Sequence, residues 1–352
     1  MTRETLNYNI HDILSFQINR KRCRDFIKDI NLPYSYFETE HGDNPDIILN
    51  LGDFTPENEG CYVVDHKWYI KNDYIYCSEH IGKIKFKIEI IGIESIPTII
   101  NVSTNTRNIR QLFLPSVLPQ YIVLRPIIDF KLLCKEFVSI HAAAVANEKG
   151  AIIFLGRGGS FKTTLSMDYI RNLNYKFLGD NKMKINKNKA FSYPVHNKLF
   201  DYRVNKMNTE NYSLLDKYKY LIYQRSNQYE PDYTIVDKTD ISSMYLIAKS
   251  NGKQMRAEQL LRDDVLIKTV NSHKMENIGG PFLMGISKGL YDYFTAYSYV
   301  FPDSKIASYW DTYGSMLAEY LDADEYYEIS LPKTYTKTAF QDFVELIHSL
   351  ER

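Results

Sequence analysis

The sequence predicts an α+β protein in two parts: a smaller β-rich domain over residues 1–128, then an α/β domain over 129–352 built on a central mixed sheet. Three observations carry that expectation. The first third is a series of short strand-like runs separated by turn residues. Near Val117–Ile128 the pattern changes, and Ile127–Phe137 follows with apolar residues at helical spacing (Ile128, Leu132, Leu133, Phe137). Beyond it, the uninterrupted apolar run Ala151–Leu155 leads into a glycine-rich loop and a helix. Such a run suits a strand buried on both faces.

In the first part, Ile47–Leu51 and Cys61–Val64 read as strands. Trp68–Cys77 holds two more, with Lys71-Asn72-Asp73 as the turn between them. Lys85–Ile90 alternates polar and apolar residues, the period of a half-buried strand, and Pro97–Val102 adds another. Arg22–Ile30 is the candidate helix of this part. In the second part, Val138–Val145 reads as a strand and Asn147–Gly150 as a hairpin turn back into Ala151–Leu155. Thr163–Leu173 reads as a helix and Lys176–Leu178 as a strand, followed by strands at Lys184–Ile185, Phe191–Tyr193 and Met244–Ala248. Met284–Ala296 and Ser308–Leu321 read as helices. Tyr327–Leu331 reads as a strand, and Lys337–Leu350 as a closing amphipathic helix.

Composition narrows the function classes. The 352 residues carry 43 Lys+Arg against 43 Asp+Glu, so the formal net charge is zero. That balance argues against nucleic-acid binding through bulk basicity and leaves only a local basic patch open. The four cysteines form no C-x-x-C pair and no zinc site is expected. Met1–Asn9 has no apolar core of a signal peptide, and no apolar run approaches the roughly 20 residues of a membrane span. The expected setting is the cytoplasm, without membrane or nucleic-acid partners; nothing in the composition excludes a homo-oligomer. The 29 tyrosines fit a compositional bias of the genome, and those of Tyr291–Tyr327 fit core packing.

The chemistry concentrates in Gly156-Arg157-Gly158-Gly159-Ser160-Phe161-Lys162-Thr163-Thr164. A loop between a buried strand and a helix, rich in glycine and ending in Lys-Thr, is the arrangement of a P-loop. Glycines let successive main-chain N–H groups turn inward around phosphates, and the helix adds its positive end. Lys162 is expected to reach the β- and γ-phosphates of ATP, and the Thr163 hydroxyl to ligate Mg²⁺. One position departs from the G-x-x-x-x-G-K-[ST] spacing, since Phe161 stands where a glycine is asked for. The plainer alternative is a glycine-rich turn before an ordinary helix.

Two companions follow from strand order. Phe177-Leu178-Gly179-Asp180-Asn181 is a short apolar strand ending in an acid and an amide. Strand ends beside such a loop face the phosphates, which makes Asp180 the candidate general base or metal carboxylate and Asn181 a candidate metal oxygen. Taken alone, Asp-Asn is simply a turn. His141, on the strand before the loop strand, is carried by a hairpin toward the same end. It is a candidate to hydrogen-bond the acceptor, the γ-phosphate or Asp180. A structural strand histidine is the competing reading.

Over Phe137–Ile185 these residues resemble the HPr kinase/phosphorylase family and its related serine kinases, whose catalytic domain shares a fold with phosphoenolpyruvate carboxykinase. His141 stands at that family's spacing from Gly156, Lys162 and Thr163 match its phosphate lysine and metal hydroxyl, and Asp180 matches the first of its paired acids. Asn181 replaces the second acid; Gly179-Asp180 is the alternative register for that pair. The resemblance implies a kinase with ATP and Mg²⁺, transferring a γ-phosphoryl group to a hydroxyl of a peptide, protein or small molecule. It does not imply phosphorylase activity or a particular acceptor. Phe161 and Asn181 also leave open a nucleotide-binding regulatory or assembly protein without turnover. An ATPase or GTPase lacks a clear second acid.

Overall fold

The computed structural model describes residues 3–21, 32–81, 84–105, 123–194, 233–278, 292–323, 325–336 and 338–350. It is mixed α/β, with two mixed sheets and six α-helices among those residues. The chain divides into two compact units, residues 1–136 with 275–313, and residues 137–274 with 314–352.

The first unit is built on nine strands: β1 (Arg3–Ile10), β2 (Leu14–Lys21), β3 (Glu38–Thr39), β4 (Ile47–Leu51), β5 (Tyr62–Val64), β6 (Trp68–Lys71), β7 (Tyr74–Ile81), β8 (Ile84–Ile91) and β9 (Thr98–Asn105). Their order is β3-β1-β2-β4-β9-β8-β7-β6-β5. β2, β4 and β9 are parallel neighbours, and the other pairs are antiparallel. The β1–β2 hairpin was not expected as such. Its signal is the alternation Leu6, Tyr8, Ile10 and Leu14, Phe16, Ile18, of which all but Leu6 are buried. The turn between them sets His11 and Asp12 at φ 52 and 60, and the Asn9 side chain accepts the Asp12 N–H at 2.8 Å. The helix expected at Arg22–Ile30 lies outside the described residues.

In-register parallel pairing stacks Asn19, Asn50 and Asn101 on β2, β4 and β9. Each amide donates to the next, Asn19 to Asn50 at 3.0 Å and Asn50 to Asn101 at 2.9 Å. Asn101 donates to buried Glu89 on β8 at 2.7 Å. Glu89 also accepts the Tyr74 hydroxyl at 2.8 Å and the Glu57 N–H at 3.0 Å, so its buried carboxylate is satisfied by donors.

The expected cut at 128/129 needs correction in two respects. Helix α1 (Arg125–Cys134) belongs to the first unit, and that unit also takes back residues 275–313. Pro126 sits in the first turn of α1, where its missing N–H has no cost. The reason for the return is aromatic packing. Tyr293 and Phe294 of α4 (Asp292–Val300) lie 6.1 Å from Trp68 and 5.9 Å from Phe130, ring centre to ring centre. The Tyr297 hydroxyl accepts the Asp73 N–H at 3.0 Å, and Ile306 N–H donates to Glu94 at 2.9 Å. The part of the expected helix Met284–Ala296 that precedes residue 292 lies outside the described residues.

The second unit is a sheet in the order β10-β14-β15-β16-β12-β11-β13. Its strands are β10 (Val138–Ile140), β11 (Ala142–Asn147), β12 (Gly150–Leu155), β13 (Lys176–Gly179), β14 (Met183–Asn186), β15 (Lys189–Phe191) and β16 (Lys238–Ser250). β17 (Arg256–Leu260) and β18 (Tyr326–Pro332) extend it beyond β16. The single strand expected at Val138–Val145 is broken at His141 into β10 and β11. They pair with different neighbours, β14 and β12. Helix α2 (Lys162–Leu173) buries Leu165 and Tyr169 in a core with Phe154, Phe343 and Ile347, the last two from α6 (Ala339–Leu350). Tyr169 and Phe340 meet edge to face at 5.3 Å.

Two helices remain, α3 (Arg262–Ile278) and α5 (Tyr309–Tyr320). α3 was not expected. Its apolar residues are scattered around the helix, and its buried positions include the polar Thr269, Ser272 and His273. Asp263 and Asp264 in its first turn are the start signal present in the sequence.

Candidate active site

Strand directions explain why distant residues meet. β12 and β13 both run antiparallel to β11, so they run the same way with β11 between them. Leu155 and Gly179, at their C-terminal ends, pair with Ala142 and Ala144 near the start of β11. Gly156, Asp180 and His141 therefore sit at one end of the sheet. β16 lies parallel on the other side of β12, with Leu246 beside Leu155, and brings Ile247 and Lys249 to the same end.

The glycine-rich loop is shaped by close approach. Gly156 has φ 131, and a Cβ there would stand 2.3 Å from the Ile247 carbonyl oxygen, so no side chain fits. Gly159 has φ 83 and open space around it. Phe161, where the spacing asks for glycine, takes glycine's conformation: φ 69, ψ 11, left-handed, at the N-cap of α2. The loop keeps the turn and fits an aromatic residue into it. Lys249 Nζ lies 4.1 Å from the centre of the Phe161 ring and the Tyr335 ring 5.3 Å away.

Lys162 is 6 % exposed, and its ammonium donates to the Gly156 and Arg157 carbonyls at 2.8 and 2.9 Å. Ser160 is buried at 4 % exposure, and its hydroxyl has no hydrogen-bond partner among the described residues. A buried hydroxyl left unsatisfied costs about 1–3 kcal/mol, which a phosphate oxygen would relieve. Arg157 is exposed, and Nη1 donates to the Ser272 carbonyl at 3.2 Å.

Thr163 Oγ1 donates to Asp180 Oδ1 at 2.8 Å. Two oxygen ligands of the type Mg²⁺ takes thus stand side by side. Among the described residues no group of three or more His, Cys, Asp and Glu could hold a metal. Mg²⁺ needs no such cage, because phosphate oxygens and waters fill the remaining positions. Asn181 is exposed, in a left-handed turn with φ 67, while Asp180 and Lys182 bridge across it and are buried. Thr164, the next residue along α2, lines a groove beside the helix.

His141 is buried, and Nδ1 lies 3.3 Å from Ser272 Oγ. The same hydroxyl donates to the Gly156 carbonyl at 3.3 Å. Burial, then Lys162, His273, Arg157 and Lys182 nearby, push the His141 imidazole down to about 2. It is neutral at physiological pH and serves as a hydrogen-bonding group. Ser272 and His273 of α3 were missed at the sequence level. They are local to His141 only through folding, and no motif announces them. Arg256 is exposed at the start of β17, paired with Ser330.

Among the described residues no helix is long and apolar enough to cross a membrane. No protein-family model matches the chain, and a search of curated proteins finds no match.

Proposed function

We propose that the second unit binds ATP with Mg²⁺ and transfers the γ-phosphoryl group to a hydroxyl of a peptide, protein or small molecule. The hydrogen bond from Thr163 to Asp180 at 2.8 Å, beside a lysine held over a glycine-rich loop, carries this reading. It joins a metal-binding hydroxyl and a carboxylate from segments that strand order alone brings together. The order of parts is that of the HPr kinase-related serine kinases with their phosphoenolpyruvate carboxykinase-type domain, and we extend that resemblance to this chain as part of the proposal.

In this mechanism the loop amides from Gly158 to Thr163 and the Lys162 ammonium hold the β- and γ-phosphates. When bound, Mg²⁺ neutralises charge on their oxygens; Thr163 and Asp180 are the residues that would hold it, with Asn181 beside them. The acceptor oxygen attacks Pγ, the bond from Pγ to the bridging oxygen breaks, and ADP leaves with that electron pair. Asp180 takes the acceptor's proton. His141, neutral and beside Ser272, orients the γ-phosphate or the acceptor by hydrogen bonding.

A second reading, a nucleotide-binding regulatory protein without turnover, is favoured by Asn181. It replaces an acid, and its side chain is exposed in a left-handed turn. Titration calorimetry with Mg·ATP, paired with transfer of radiolabel from [γ-³²P]ATP, separates the two. For the kinase, Lys162→Ala abolishes both binding and transfer. Unchanged nucleotide turnover in Lys162→Ala rules the proposal out. Tight binding in the native protein with no transfer to any acceptor selects the second reading.

A further inference from the structure

We propose that the groove along α2 binds the nucleoside end of the nucleotide, a purine ring stacking beside Phe161 and Tyr335. The inference rests on reading the glycine-rich loop as a phosphate cradle.

α2 has two working faces. Thr163 points to Asp180, whereas Thr164, about 100° further round the helix, lines the groove together with Arg171 two turns on. The opposite wall comes from Val344 of α6 and from Tyr335, after β18. The cavity measures about 1270 Å³, more than the few hundred Å³ a nucleoside needs. Phe161 belongs to both structures: its backbone is the last residue of the loop, and its ring is groove wall. The groove therefore begins at the last residue of the loop.

In-line transfer assigns the occupant. The acceptor and the leaving ADP must stand on opposite sides of the γ-phosphate. Asp180 and His141 define the acceptor side, and neither of them nor Thr163 lines the groove. What leaves along the groove is therefore the ADP end. The chemistry agrees. Phe161 and Tyr335 supply aromatic faces, Lys249 and Arg171 supply cations for the α-phosphate and ribose oxygens, and the Asp168 carboxylate accepts the Tyr335 hydroxyl at 2.8 Å, fixing that ring.

The test compares Mg·ATP with Mg·tripolyphosphate, which has the phosphates and no nucleoside, by titration calorimetry on the full chain. The variants are Val344→Trp and Gln341→Trp, the second on an exposed position of the groove rim. Both fill the groove without touching the loop. Native protein is expected to bind ATP more tightly than tripolyphosphate, and filling the groove to weaken ATP by about tenfold while leaving tripolyphosphate within about twofold. Equal weakening of both ligands, or unchanged ATP affinity in a filled variant that melts normally, overturns the inference. So does a loss confined to acceptor phosphorylation, which would make the groove an acceptor site. Failure of the cradle itself has a separate signature: native protein then binds neither ligand, or binds tripolyphosphate equally well after Lys162→Ala.

Discussion

Replacing Phe161 by glycine and, separately, by alanine tests how an aromatic residue holds a glycine's position. Both changes remove the ring from Lys249 and Tyr335. A half-buried phenyl group contributes about 1–1.5 kcal/mol by area. The ring pair adds roughly 0.5–1.5 kcal/mol and the lysine over the ring about 0.5–1 kcal/mol. Glycine recovers about 1–2 kcal/mol, because φ 69 is strained for any residue with a Cβ. Alanine recovers none of this. Phe161→Gly is therefore expected to cost about 1–2 kcal/mol and Phe161→Ala about 2–4 kcal/mol. Glycine comes out ahead of alanine by about 1–2 kcal/mol, the reverse of their order inside a helix. Scanning calorimetry of the second unit's transition should show a gap of about 2–8 °C in Tm. Alanine equal to glycine, or better, would refute the claim that the backbone at 161 is left-handed. With nucleotide present, Phe161→Gly is expected to keep tripolyphosphate affinity and to lose part of its ATP affinity, since the loop survives while the groove loses a wall.

Asp180→Asn should retain Mg·ATP binding within about tenfold and lose at least about 100-fold in transfer rate, measured by single turnover, because proton acceptance contributes on that order. His141 gives a pH dependence with a definite sign. Unfolded, it protonates near 6.5, and folded, only near 2, so the unfolded chain binds the extra proton below 6.5. Its contribution is complete above that pH and falls by about 1 kcal/mol per pH unit as pH drops below it; His141→Gln should flatten the slope of urea-unfolding free energy between about pH 6 and 4. A bound triphosphate offsets the cations around His141, so its pKa, followed by NMR of the ring, should rise on adding Mg·ATP. In the first unit, Asn50→Ala interrupts the amide stack and should lower that unit's stability by about 1–3 kcal/mol in urea unfolding.

Much of the site's placement could be read from local signals. The apolar run before Gly156 and the Lys-Thr pair after the loop announce β12 and α2, and the turn at Asn147–Gly150 implies the hairpin that carries His141 back. The closing helix α6 follows from the spacing of Phe340, Phe343 and Ile347. What escaped depends on long-range pairing or on polar burial. β16 finds β12 across about ninety residues through backbone bonds that leave no trace in side-chain pattern. α3 turns Thr269, Ser272 and His273 inward, and a helix that buries polar groups lacks the apolar stripe that periodicity detects. The conformation of Phe161 escaped because aromatic residues rarely adopt positive φ; only the glycine-like demand of the loop position hinted at it.

The return of residues 275–313 to the first unit has a consequence for synthesis. Trp68 and Phe130 leave the ribosome long before Tyr293 and Phe294, which cover them. At about 5–20 residues per second, translating the intervening stretch takes roughly 7–30 s. Through that interval the nascent first unit presents a sticky aromatic face, while the whole of 137–274 is still being threaded out. Holdase chaperones that shield such faces should therefore raise the yield of folded protein more when elongation is slow than when it is fast.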